Sequence, residues 1–162
     1  MDIIRKVLAD NPGILRIVEL GTGYGGTSLF LGSCVCGRGG NVLTMDNVQV
    51  MNQGYATWSQ AAQKYNITFL QRDVFLPTTV QEASEFIKDP RTLIFCDNGL
   101  KRVEVSLYAE ILKKNDLLMA HDYGYEISDA LLTERVLSIM EHYRQEEFNN
   151  ANDTRILSMR RK

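Results

Sequence analysis

The chain has 162 residues, 44% of them hydrophobic and 23% charged, the balance of a soluble globular protein and enough length for a single domain, 1–162, to bury a core without disulfide or metal staples. Its formal net charge is −2 and its one basic stretch is the tail Met159-Arg160-Arg161-Lys162, which reads as a solvated terminus, so nucleic acid is not an expected partner. No apolar run reaches membrane-spanning length and the segment Met1 to Lys6 has no signal-peptide core, so no membrane partner is expected and the expected localisation is cytoplasmic.

In chain order, a short amphipathic start leads to a turn at Asn11-Pro12-Gly13, and Ile14 to Leu20 then reads as a buried strand. Thr27 to Cys36 reads as a helix ended by Gly37-Arg38-Gly39-Gly40, and Asn41 to Met45 as a second strand. Tyr55, Trp58, Ala62 and Tyr65 recur at helical spacing, which makes Trp58 a core residue rather than a ligand platform. Ile67 to Leu70 is a third strand, and Val80, Ala83 and Ile87 mark a helix that stops before Pro90. Leu93 to Cys96 is a fourth strand, and Val103, Leu107 and Ile111 share a helical face. Leu117 to Ala120 is a fifth strand, Leu132, Val136, Met140 and Tyr143 make a long amphipathic helix, and Arg155 to Met159 is a single late strand. Cys34, Cys36 and Cys96 have no zinc-like spacing and read as small buried hydrophobes in a reducing compartment.

Strands alternating with helices imply βαβ units. The expected fold is α/β: a three-layer Rossmann-like sandwich around a mostly parallel sheet of six or seven strands, in order 3-2-1-4-5, with a late antiparallel strand.

The strongest motif is Glu19-Leu20-Gly21-Thr22-Gly23-Tyr24-Gly25-Gly26-Thr27-Ser28, placed between a strand and a helix as a nucleotide-type glycine loop requires. Gly21 suits the tight turn, Gly23 close approach of backbone to ligand, and Gly26 close helix–strand packing. Asp46, ending the second strand, can accept hydrogen bonds from ribose hydroxyls, or can cap the turn it begins. Glu19, at the mouth of strand one, suits a cationic ligand end and would repel a pyrophosphate; its structural alternative is to cap nearby amides.

The run Val18 to Ser28 resembles the first motif of class I S-adenosylmethionine-dependent methyltransferases. Its Gly-Gly-Thr-Ser ending is most similar to the cephalosporin hydroxylase-like group of that superfamily, and the resemblance extends over roughly Leu15 to Asp122. It implies S-adenosylmethionine as cofactor and methyl transfer as activity. The implied cofactor contacts are Glu19, Gly21, Thr22, Gly23, Tyr24, Gly26, Thr27, Ser28, Asp46 and Asp97. Asp73, in Gln71-Arg72-Asp73-Val74, sits where this class places an acid on the adenine amino group, and Met51 could line the same pocket.

Asp97 follows strand four, and His121 and Asp122 follow strand five. In the expected strand order these fall beside the crevice where open α/β sheets bind ligands. Asp97 and Asp122 suit Mg²⁺, and an added His121 imidazole tilts the set toward Mn²⁺. The arrangement resembles the metal site of catechol O-methyltransferase-like enzymes, from which His121 departs, since they carry a carboxylate there. His121 could instead be a general base or an orienting residue. Lys101 lies one residue from the position of the catechol-type base; otherwise it is a solvated lysine of a first helical turn.

A cation on the Asp97 and Asp122 pair would acidify and orient a bound hydroxyl, so the expected acceptor is a small hydroxylated molecule. A small NAD(P)-binding domain and a non-catalytic S-adenosylmethionine-binding subunit are the competing readings. A dehydrogenase would need a substrate domain, for which 162 residues leave no room. One short helix before strand one and one late strand leave no substrate lid, a wall that a homo-oligomer could supply.

Overall fold

The computed structural model describes residues 1–47, 55–151 and 155–162. Met51 lies outside them. The first half of the chain runs α1 (Asp2–Asp10), β1 (Ile14–Leu20), α2 (Gly26–Val35), β2 (Asn41–Asp46), α3 (Tyr55–Lys64), β3 (Ile67–Gln71) and α4 (Pro77–Phe86). The second runs β4 (Arg91–Cys96), α5 (Lys101–Tyr108), β5 (Leu117–His121), α6 (Glu134–Ile139), β6 (Met140–His142), α7 (Gln145–Asn150) and β7 (Ile156–Arg161).

Among the described residues the strands form one seven-stranded sheet in the order β3-β2-β1-β4-β5-β7-β6. The first five are parallel, and β7 pairs antiparallel with both β5 and β6. This is the expected order with its late antiparallel strand. Successive residues of a strand face opposite sides, and both sides are covered. Ile17, Leu93, Phe95 and Met119 pack under α1, α2, α3 and α7 with Ile4, Leu31, Trp58 and Phe148. Val18, Ile94, Cys96 and Leu118 pack under α4, α5 and α6 with Ala83, Val105, Tyr108 and Val136. Two-sided burial is why these strands read as continuous apolar runs rather than alternating ones.

Three expectations are corrected. The long helix through Leu132 and Tyr143 is instead the short α6, and Met140 opens β6, with Met140 opposite Arg161 and His142 opposite Met159. Pairing with β7 outweighs the helical spacing, and it gives two late strands where one was expected. The buried face of α5 is not Val103, which is 42% exposed, but Lys101, Glu104, Val105 and Tyr108; two charged residues face inward and hide the periodicity. Cys34 and Cys36 are only half-buried, whereas Cys96 is buried, and all three are free thiols.

Candidate active site

The site forms where β1 and β4 end side by side. The Gly21 N–H donates to the Met45 carbonyl and the Asp97 N–H donates to the Leu20 carbonyl, each at 2.8 Å, so the ladder holds both flanks as the glycine loop begins. Gly21 has φ +93°, and a Cβ there would lie 2.4 Å from the Asp97 carbonyl oxygen; no other residue fits this turn. At Gly25, φ is +75° and a Cβ would lie 2.0 Å from the Trp58 indole nitrogen. That nitrogen donates to the Gly25 carbonyl at 3.1 Å, and Trp58 stands edge-on to Phe69. Trp58 is thus core, as expected, and also braces the loop.

Gly26 does not pack against a strand: a Cβ there meets nothing within 4 Å. Close helix–strand packing falls one turn or more later, at Gly32, whose Cβ would come 2.8 Å from Ile67. Gly26 instead lines the cavity that the loop encloses.

This cavity is about 510 Å³, bounded by residues 21–27 on one side, Asp46 on another, and residues 97–99 with Lys101 on the third. Such a volume is in the ~300–1,000 Å³ range of small-molecule sites. The Asp46 carboxylate accepts the Gly23 N–H at 3.0 Å, which holds it at the wall. Tyr24 stands at the rim, 83% exposed. Thr22 and Thr27 line the cavity with the glycines.

Glu19 and Ser28 are both fully buried and lie behind the loop, off the cavity wall. Ser28 Oγ donates a short hydrogen bond to Glu19 Oε2, and Thr44 Oγ1 donates to the same oxygen at 2.6 Å. Thr22 Oγ1 lies 2.7 Å from Thr44 Oγ1, which extends the network from the loop through β2 and β1 to α2. Glu19 Oε1 has no partner among the described residues. Burial lifts the Glu19 carboxyl to about 7 against the pull of the Ser28 and Thr44 hydroxyls. Asp73 also stays off the wall: it is exposed, and its Oδ1 accepts the Phe75 N–H at 2.9 Å in a turn before α4. Arg72 pairs with Glu82.

Asp97, His121 and Asp122 do converge. One ligand atom from each lies within 4.8 Å of the others. His121 Nδ1 is 3.5 Å from Asp97 Oδ1 and 3.2 Å from Asp122 Oδ2. Asp97 belongs to two cavities at once. It lines the glycine-loop cavity and also a smaller one of about 190 Å³ with Thr27, Ile4, Phe95, His121 and Ile156.

Lys101 is not solvated but 3% exposed, with Nζ 3.3 Å from both Asp97 Oδ1 and Glu126 Oε2. Burial pushes its amine down, but Asp97, Glu104 and Glu126 outweigh that and hold it above the ordinary lysine value. It is therefore an ammonium in this arrangement, not a base. The Asp97 carboxyl is raised by burial, with Lys101 and His121 opposing.

Sequence reasoning missed Glu104 and Glu126. Glu104 is fully buried and accepts the Asn98 N–H at 3.2 Å and the Leu100 N–H at 2.9 Å, which fixes the loop bearing Asp97. An acid in the first turn of the helix after β4 was the available signal.

No family model matches the chain, and no curated protein matches it by sequence. Solved structures do. An O-methyltransferase from Bacillus cereus in complex with S-adenosylhomocysteine (SAH) superposes with TM-score 0.57 at 16% identity, over 74% of this chain and 54% of that one. CmcI in a Mg–S-adenosylmethionine form superposes with TM-score 0.72 at 19% identity, over 99% of this chain and 70% of that one. The O-methyltransferase TomG from Streptomyces achromogenes, involved in tomaymycin synthesis, gives 0.52 at 15% identity, over 74% of this chain and 53% of that one. The chain thus spans about half the length of two of these three proteins. At such identities the likeness is one of fold, the Rossmann-like fold that these structures share with the chain.

Proposed function

We propose that the chain binds S-adenosylmethionine in the glycine-loop cavity and transfers its methyl group to the hydroxyl of a small acceptor held beside Asp97 and His121. The observation that carries this reading is the fixed charge of the cavity wall. Two carboxylates, Asp46 and Asp97, face one ammonium, Lys101, beside the amino end of α2. A ligand with a sulfonium, an ammonium and one carboxylate complements that wall: its carboxylate suits the helix end and its cations suit Asp97, which leaves Asp46 to the ribose hydroxyls. A dinucleotide pyrophosphate would meet Asp97 with like charge. Asp46, held by the Gly23 amide, is the ribose ligand in this reading. Glu19 and Ser28 support the loop from behind rather than touching the cofactor. The superposed O-methyltransferases, crystallised with the methyl donor or its product, support the same reading.

Methyl transfer is an in-line displacement. The acceptor oxygen forms a bond to the methyl carbon, the carbon–sulfur bond breaks, and its electron pair stays on sulfur to give neutral SAH. The acceptor must lose its proton, and the chain's part is alignment and proton removal. With no cation bound, His121 is the candidate base, its ring oriented by Asp97 and Asp122 through Nδ1; as a cation ligand it would keep its proton on the other ring nitrogen and serve only to hold the ion. Lys101, an ammonium, balances Asp97. The mixed donor set of two carboxylates and one imidazole fits a divalent cation of the Mg²⁺ or Mn²⁺ kind, which Asp97, Asp122 and His121 would hold. Such an ion would supply acidification and orientation of the acceptor hydroxyl. The smaller cavity shares Asp97 and His121 and has an apolar lining from Ile4, Phe95 and Ile156, which suits a small acceptor. A net charge of −2 supports a small molecule over nucleic acid. Three free thiols and no described helix long and apolar enough to cross a membrane support a cytoplasmic setting.

Methyl-labelled S-adenosylmethionine incubated with a panel of small phenols and sugars tests this. The expected result is label transfer to at least one acceptor, with His121→Ala lowering kcat and Asp46→Ala raising KM for the donor. No transfer to any acceptor, together with no binding of SAH, contradicts it.

A further inference from the structure

Lys101 is a buried cation with a divided allegiance. Its Nζ stands 3.3 Å from Asp97 Oδ1 and 3.3 Å from Glu126 Oε2, and 3% of the side chain is exposed. Glu104, the third acid near it, has both carboxylate oxygens occupied by the Asn98 and Leu100 amides. Glu126 reaches Lys101 from the turn that also carries Asp122. The Glu126 N–H donates to the Asp122 carbonyl at 2.9 Å, and Asp122 holds φ +61° there. His121 Nδ1 then touches both Asp122 and Asp97. The five residues close a ring: Asp97, Lys101, Glu126, Asp122, His121 and back to Asp97.

From this ring we infer that Glu126 is a positioning residue for the cluster: it shares the Lys101 ammonium and so leaves Asp97 open to a divalent cation. The inference rests on the reading of Asp97, His121 and Asp122 as a cation site. Without Glu126, Asp97 would be the one carboxylate within salt-bridge distance of the Lys101 ammonium, at 3.3 Å, and that ammonium would offset its charge and repel an incoming cation. A second carboxylate at the same distance, that of Glu126, lets the ammonium yield without being stranded. Glu126 does this through Lys101, touching neither cavity wall that holds the cluster, and its side chain is 36% exposed, so substitution there leaves the core intact.

Calorimetric titration of the full chain with Mn²⁺ alone reads the effect without turnover. The wild type binds, and Asp97→Asn abolishes the heat. Glu126→Gln weakens binding about five- to tenfold. Glu126→Asp keeps the charge but draws it back by one methylene, and it weakens binding nearly as much; wild-type affinity in that variant would mean a bulk field and overturn the inference. Lys101→Met tightens Mn²⁺ binding, and on that background Glu126→Gln has less than about a twofold effect, because no ammonium is left to hold. Wild-type affinity in Glu126→Gln overturns this inference and leaves the cation site standing. No Mn²⁺ heat in the wild type overturns both.

Discussion

Replacing Glu19 by Gln changes how stability depends on pH. In the fold the Glu19 carboxyl rises from its ordinary 4.5 to about 7, chiefly through burial. The folded chain therefore holds this proton more tightly than the unfolded chain does. Below about pH 4.5 both states are protonated and the group's contribution is fully present. As pH climbs toward 7 the unfolded state has already released the proton, so stability falls; above 7 both states are ionised and the loss is complete. The lift corresponds to about 3 kcal/mol at 1.36 kcal/mol per pH unit. The Gln variant cannot titrate. Its fixed cost, an amide N–H₂ where Oε1 has no partner, does not vary with pH. Melting temperatures of wild type and Glu19→Gln, measured by calorimetry from pH 4.5 to 8, should thus shift against each other by about 6–12 °C in favour of the variant as pH rises. All other titrating groups are common to both proteins and cancel. A difference that stays constant with pH would show Glu19 to be ionised in the fold and would refute the reasoning. It would also return a full negative charge to the back of the glycine loop.

Gly21→Ala should lower stability by roughly 1–3 kcal/mol from backbone strain alone, read by urea melts, and should weaken SAH binding, since the Asp97 carbonyl must move. Trp58 is the chain's one tryptophan and bonds to the Gly25 carbonyl, so its emission should change as SAH is titrated in; Trp58→Phe should cost about 1 kcal/mol for the lost bond and remove the signal. Glu104→Gln turns an N–H₂ toward the Asn98 or Leu100 N–H and should cost roughly 1–3 kcal/mol, with faster hydrogen exchange at those two amides.

Much of the fold was legible because the strands are buried on both faces and the glycine loop marks the first crossover. Once the order 3-2-1-4-5 is assumed, the carboxyl ends of β2 and β4 bring Asp46 and Asp97 to one cavity, and the end of β5 brings Asp122 beside Asp97, without further information. Less visible was anything that depends on which way a charged side chain turns. Lys101 and Glu104 point into the protein, so apolar spacing selected Val103 and missed the true inner face of α5. Glu126 is one acid in a polar turn, and only the Asp122 backbone brings it to Lys101. Glu19 read as a ligand contact because its position in the motif is right, yet Ser28 and Thr44 hold it behind the loop. Met140 fits a helical spacing and a strand edge equally well, and only its pairing with Arg161 decides between them.

Side-by-side calorimetric titration of the full chain with SAH and with NADH tests the central claim, that the glycine-loop cavity takes a methyl donor. The account predicts saturable SAH binding that is lost in Asp46→Ala, and no heat from NADH. Saturable NADH binding with no response to SAH would contradict it.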